Sequence, residues 1–177
     1  VKTLEDIEKI EIDGNKINVE INDTLLKTKE TVLCSDSAGG WRSKINNIEP
    51  VTSNFQVKSD ELIERIEELK NNAQIWQATG GTHVAGIVYK DNFIVKEDVS
   101  RHVAVDKVIG AAFKLGYDLT QSYLTYSGRM PADMLIKVIR VGIPIIISNA
   151  APAASGYEIA EKGNITMVGF VRNNRFN

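Results

Sequence analysis

From Ser122 to Val171 the chain alternates two apolar patterns, and that alternation narrows the fold more than any other feature of the sequence. Ser122-Tyr-Leu-Thr-Tyr126 reads as a strand. A helical stretch follows, with Pro131 in a first-turn position, Met134, Leu135, Val138 and Ile139 on one face, and Gly142 closing it. Ile143-Pro-Ile-Ile-Ile-Ser148 is an apolar run of the kind that parallel sheets bury on both faces. A short helix from about Ala154 to Lys162, closed by Gly163, leads to a last strand over Ile165 to Val171. Strand, helix, strand, helix, strand with short links makes two right-handed crossover units, which places the chain in the α/β class.

The earlier elements add an antiparallel part. Thr82 to Tyr89 alternates as a strand, and Lys90-Asp91-Asn92 turns the chain back through Phe93 to Lys96. Leu62, Ile66 and Leu69 recur at helical spacing, predicting a helix from Ser59, its cap, to about Asn71. A second helix begins at Asp98 or Ser100 and ends at Leu115, with Gly116 just beyond it. At the start of the chain, Lys9 to Asp13 and Lys16 to Asn22 alternate with period two around Asp13-Gly14-Asn15, an extended hairpin. Residues 34–57, rich in small polar residues, read as a mobile surface loop. The expectation is one domain over 1–177, with 1–57 as strand lead-in and cysteine loop and 58–177 as the α/β core.

Bulk properties exclude several function classes. With 43% hydrophobic and 25% charged residues in 177, the chain is an ordinary globular one with a single sizeable core. A net charge of −2 gives no field for nucleic acid or membrane surfaces. The most apolar run, Val141 to Ala154, is too short and too interrupted to span a bilayer. A single cysteine rules out an intrachain disulfide and fits a reducing cytoplasm. No basic start followed by an apolar run suggests a signal peptide, and the missing initiator Met suggests a start inside a longer sequence.

The polar residues gather in a few places. Thr79-Gly80-Gly81-Thr82-His83, then Glu97 to His102 and Asp106-Lys107, hold both histidines, a diglycine and an acidic pair. Gly80 and Gly81 mark either a turn or a backbone that approaches a ligand. His102 and Asp106 are four apart on one helix, either a surface pair or part of a cationic helix start with Arg101 and Lys107 that would attract anions. Ligands of open α/β sheets sit beyond the carboxyl ends of the strands. Two such ends carry Ser127-Gly128-Arg129 and Ser148-Asn149. Gly128 permits close approach, and Arg129 offers a fork suited to phosphate or is an ordinary surface arginine. Together these predict a site for a small phosphate-bearing molecule. No Walker loop or dinucleotide fingerprint is present, and one cysteine cannot supply a deaminase zinc set. Cys34, set among glycines and serines, is either a small buried residue or a reactive thiol.

Thr79-Gly-Gly-Thr-His83, Glu97-Asp-Val-Ser-Arg-His-Val-Ala-Val-Asp-Lys107, Ser127-Gly-Arg129, and Lys137 to Pro152 with Gly169-Phe-Val-Arg172 occur in that order. Together they resemble the FdhD family of formate dehydrogenase accessory proteins over roughly residues 76–174. The resemblance implies a cytidine-deaminase-like α/β fold, a mixed sheet with helices on both faces, lacking the deaminase zinc site. It implies a homodimeric sulfurtransferase with no intrinsic cofactor or metal. Such a protein accepts sulfur from a cysteine desulfurase as a persulfide. It passes that sulfur to the molybdenum (or tungsten) bis-guanine-dinucleotide cofactor destined for formate dehydrogenase, and it binds the guanine-nucleotide ends. Cys34 aligns with the first cysteine of the family's Cys-x-x-Cys loop, and Ser37 stands at the second. Ser100, Val103 and Ala153 replace the family's usual Gly, Asn and Thr. The implied cofactor contacts are Thr79, Gly80, Gly81, His83, Asp98, Arg101, His102, Asp106, Lys107, Ser127, Gly128, Arg129, Ser148 and Asn149. The alternative is a non-catalytic cofactor chaperone of the same fold. A nucleotide-processing hydrolase lacks a metal set or acid–base pair.

Overall fold

The structure, a computed structural model, describes residues 6–22, 31–33, 41–43 and 48–177. The chain divides into two compact units, Val1–Asn47 and Ile48–Asn177.

In the first unit, β1 (Ile7–Asp13) and β2 (Lys16–Ile21) pair antiparallel, as their alternation predicts. Gly14, at φ +57°, supplies the left-handed turn residue that a side chain would disfavour. A second antiparallel pair joins β3 (Thr31–Leu33) to β4 (Trp41–Ser43), with Leu33 opposite Trp41. Residues 41–43 were expected to be irregular, but a three-residue strand is too short to leave a periodic signal. Cys34 and the rest of its expected loop through Gly40 lie outside the described residues.

The second unit is built on a five-stranded sheet in the order β6-β5-β7-β8-β9, with β5 His83–Tyr89, β6 Asn92–Asp98, β7 Ser122–Tyr126, β8 Ile145–Ser148 and β9 Thr166–Val168. β5 runs antiparallel to β6 and β7, and β7, β8 and β9 are parallel. Five helices accompany it: α1 (Ser59–Asn71), α2 (Gln74–Thr79), α3 (Arg101–Lys114), α4 (Ala132–Arg140) and α5 (Ala154–Gly163). Period-two alternation divides the core between the two faces. Ala85, Ile87, Leu124, Tyr126 and Ile146 pack with α3, α4 and α5. Val84, Val88, Tyr123, Ile145 and Ile147 face the other way, onto Leu62, Ile66 and Leu69 of α1. The sheet is therefore mixed, with helices on both faces, as the resemblance implied.

Four local expectations change. Ser59 does not cap α1: Lys58 holds that position, and the Ser59 hydroxyl turns to Asp60 instead. α2 was not foreseen, because six residues carry too little periodicity. The left-handed residue closing α5 is Asn164, not Gly163, which lies against Ile139 inside the fold. β9 stops at Val168 because Phe170, at φ +56°, turns the backbone out of the ladder. Residues 48–57 lack helix or strand, yet they are tied down rather than mobile. Val51 is buried, its N–H donates to the Gly163 carbonyl at 2.9 Å, and its own carbonyl accepts from Asn164 Nδ2 at 2.8 Å.

Candidate functional site

Topology brings several loops to one end of the sheet. β7 and β8 are parallel, so the segments leaving them, Ser127–Arg129 and Asn149, emerge together. β5 is antiparallel to β7, so its first residue, His83, opens at that same end. β6 returns to it with Asp98 opposite His83, just before α3 begins. An open cleft of about 380 Å³ lies there, lined by Gly80, Gly81, His83, Ser127 and Asn149 among the expected residues. Lys70, Trp76, Thr82, Val84 and Val99 complete the lining.

Ser127 is held by a backbone partner, whereas Asn149 Oδ1 is buried without a hydrogen-bond partner among the described residues. The Val84 N–H donates to Ser127 Oγ at 3.1 Å, and the same oxygen lies 3.3 Å from His83 Nδ1, sharing one hydrogen between them. Burial first, then the charges of Arg101 and His102, hold His83 below its ordinary value, so it is neutral near pH 7. Gly80, at φ +66°, caps α2 by donating its N–H to the Trp76 carbonyl at 2.7 Å. Thr79 stabilises the same turn: its Oγ1 donates to the Ile75 carbonyl and accepts from the Gly81 N–H.

Glu97, quoted in the sequence motif but not foreseen as a site residue, clamps α2 from across the cleft mouth. Its carboxylate accepts from the N–H groups of Ile75 at 2.9 Å and Trp76 at 2.8 Å, and from the Thr82 hydroxyl at 3.0 Å. Burial pushes the Glu97 carboxyl up, but these donors outweigh it and hold the group below its usual range. A lowered folded value means the clamp is fully present above the ordinary value of 4.5 and is lost as pH falls through the lower folded one. Glu97→Gln keeps one acceptor and leaves an amide unpaired, at a cost of about 1–2 kcal/mol. Protection of the Ile75 and Trp76 amides against hydrogen exchange should then fall about ten-fold, and wild-type protein taken below the lowered folded value of Glu97 should lose the same protection. Unchanged protection in both would exclude the clamp.

Other expected residues serve the framework. Lys107 Nζ pairs with Asp98 Oδ2 at 2.6 Å, and that ammonium together with the Ser100 N–H holds Asp98 below the usual carboxylate range. Asp106 pairs with Lys137 of α4 at 2.7 Å rather than with His102. His102 is buried, its Nε2 3.1 Å from Asp133 Oδ2 but bent from hydrogen-bond geometry, so neither ring nitrogen has a hydrogen-bond partner among the described residues. The cationic helix start thus reduces to Arg101, whose stem packs beside Gly128. Gly128 is needed for that packing: a Cβ there would sit 2.7 Å from the Tyr126 ring and 3.3 Å from Arg101. The Tyr126 hydroxyl donates to the carbonyl of Arg129, whose side chain is exposed. Buried Ser148 bridges the two strand-end loops, donating to the Gly128 carbonyl at 2.8 Å and accepting from the Ala150 N–H.

Among the described residues no group of three or more His, Cys, Asp and Glu side chains is placed to hold a metal ion, and no helix is long and apolar enough to cross a membrane. The cleft sets apolar Trp76, Val84 and Val99 beside polar Thr82, His83, Ser127 and Asn149.

A family model described as the FdhD/NarQ family matches residues 1–177. A sulfur carrier protein FdhD from Methanothermobacter thermautotrophicus is 50% identical, covering 100% of this chain and 72% of the relative. The protein of that name from Sulfolobus acidocaldarius is 35% identical with the same coverage. Among solved structures, a formate dehydrogenase accessory protein from Desulfotalea psychrophila superposes with a TM-score of 0.76 at 26% identity, covering 100% of this chain and 68% of that one.

Proposed function

Because this chain belongs to the FdhD/NarQ family, we propose that it is a sulfurtransferase carrying persulfide sulfur from a cysteine desulfurase to the molybdenum (or tungsten) bis-guanine-dinucleotide cofactor of formate dehydrogenase. The observation that supports this most strongly is 50% identity, across the whole chain, to a protein named as a sulfur carrier. Cys34, the single cysteine, is the carrying group. Its thiolate attacks the outer sulfur of the desulfurase persulfide, and the desulfurase thiolate leaves. Passed on as neutral sulfur, that atom leaves Cys34 as thiolate and oxidises its acceptor by two electrons. Passed on as sulfide, it requires two electrons from an outside thiol, since the chain has no second cysteine to close a disulfide.

The cleft at the sheet end receives a guanine-nucleotide end of the cofactor, with His83, Ser127 and Asn149 as its polar lining. The protein works in the cytoplasm as a homodimer. A second reading, a cofactor chaperone without sulfur chemistry, is favoured by the serine at position 37.

Incubation with a cysteine desulfurase and cysteine, without reductant, is expected to add one sulfur to Cys34, seen by mass spectrometry of the peptide. Native mass spectrometry with GDP is expected to report two copies with nucleotide bound. An unmodified Cys34 alongside retained nucleotide would replace the sulfurtransferase with the chaperone.

A further inference from the structure

α2 is an odd wall for a binding cleft. None of its residues is buried, and Ile75 and Trp76 are 53% and 44% exposed. Packing therefore does not hold this short helix in place. Hydrogen bonds do: the Glu97 carboxylate accepts from the Ile75 and Trp76 amides and the Thr82 hydroxyl, and Gln77 Nε2 donates to the Lys70 and Asn71 carbonyls. Two residues after Glu97 the same segment presents Val99, 77% exposed, to the same cleft. One stretch of chain thus positions both apolar side chains that line the cleft from outside the sheet, Trp76 and Val99, while His83, Ser127 and Asn149 supply polar groups.

A half-exposed indole that lines a cleft, carried on a helix whose backbone is tied down, offers a flat π surface to a ligand. Bases stack on such surfaces with little dependence on which base it is. We propose that Trp76 is the stacking platform for the planar base of the bound nucleotide, with Val99 as the second apolar side and Glu97 as the residue that positions the helix carrying Trp76. This rests on the nucleotide-binding reading above and gives a role to Trp76, which lies outside the sequence motifs, and to Glu97 and Val99, which were not foreseen as site residues.

The test is isothermal titration of the full chain with GDP. Trp76→Ala is expected to weaken binding about 5- to 150-fold, the range seen when a stacking aromatic is removed. Trp76→Phe, which keeps a ring, stays within a few-fold of the parent. Glu97→Gln weakens GDP binding while leaving far-ultraviolet circular dichroism unchanged, a pattern that general unfolding would not produce. In a Trp41→Phe background, GDP quenches the remaining indole emission. GDP binding equally tight in Trp76→Ala, or emission unmoved by saturating GDP, overturns the platform and leaves the nucleotide reading standing. A parent chain that binds no GDP overturns both.

Discussion

Cys34→Ala reduces sulfur transfer to background, a loss of at least about a thousand-fold, and leaves GDP affinity unchanged. The first half follows from chemistry: without a thiolate there is no nucleophile to take the outer sulfur and no atom on which to carry it. Removing a nucleophile outright costs orders of magnitude rather than a few-fold, unlike the loss of a positioning contact. The second half follows from the described lining of the cleft, Lys70 to Asn149, which the substitution leaves chemically intact. Cys34→Ser makes the same point more sharply, because it keeps a small polar side chain but forms no persulfide. Transfer assays with a purified desulfurase, scored beside GDP titrations on the same preparations, check both halves. Persisting transfer in either variant would move the sulfur off Cys34 altogether.

The second large effect is on stability, and its sign opposes the general rule. Glycine inside a helix is worse than alanine by about 0.5–1 kcal/mol, so Gly→Ala normally stabilises. Gly110 of α3 should obey: an added Cβ meets nothing within 4 Å. Gly156→Ala should do the reverse. Gly156 is buried, and a Cβ there would overlap the carbonyl oxygen of Met130 and lie 3.0 Å from its carbon. That carbonyl already accepts from the Ala153 N–H at 3.2 Å, and Met130 bridges to Pro152, so the backbone on both sides is tied. A backbone cannot step aside as a side-chain tip does. A loss of about 3 kcal/mol is expected, the upper end for overpacking a well-filled site. In a chain of this size that lowers the melting temperature by about 6–12 °C, while Gly110→Ala raises it by about 2 °C. Thermal unfolding of the two variants side by side would settle the matter, and equal melting temperatures would refute the close approach. Met130 directly follows Ser127–Arg129, so the strained variant should also perturb the cleft.

How far the sequence could be read varied from residue to residue for physical reasons. α1, α3, α4 and β7 were all legible with close bounds, since each carries its own periodicity and its own stop, Asn72, Gly116, Gly142 or the serine loop at 127. Gly80, Gly81, His83, Ser127 and Asn149 were legible as cleft residues because strand ends in an α/β sheet converge. Trp76 and Lys70 left no comparable signal, and Thr82 and Val99 stood in the quoted motifs without being singled out. Charged residues were the least predictable. Asp106 looked like a partner for His102 one helical turn away, yet it pairs with Lys137, 31 positions later, and His102 turns to Asp133.

By itself the sequence determined the class of fold, the parallel run of β7, β8 and β9, and the family, because burial along one element is written in the spacing of its own residues. Only the tertiary structure decided which charges were spent on one another and which side chains faced the cleft. Lys107 was taken by Asp98, Glu97 was given to the start of α2, and Trp76 was left open. Partner choice depends on distances between elements far apart in the chain, and no local pattern of residues carries that information.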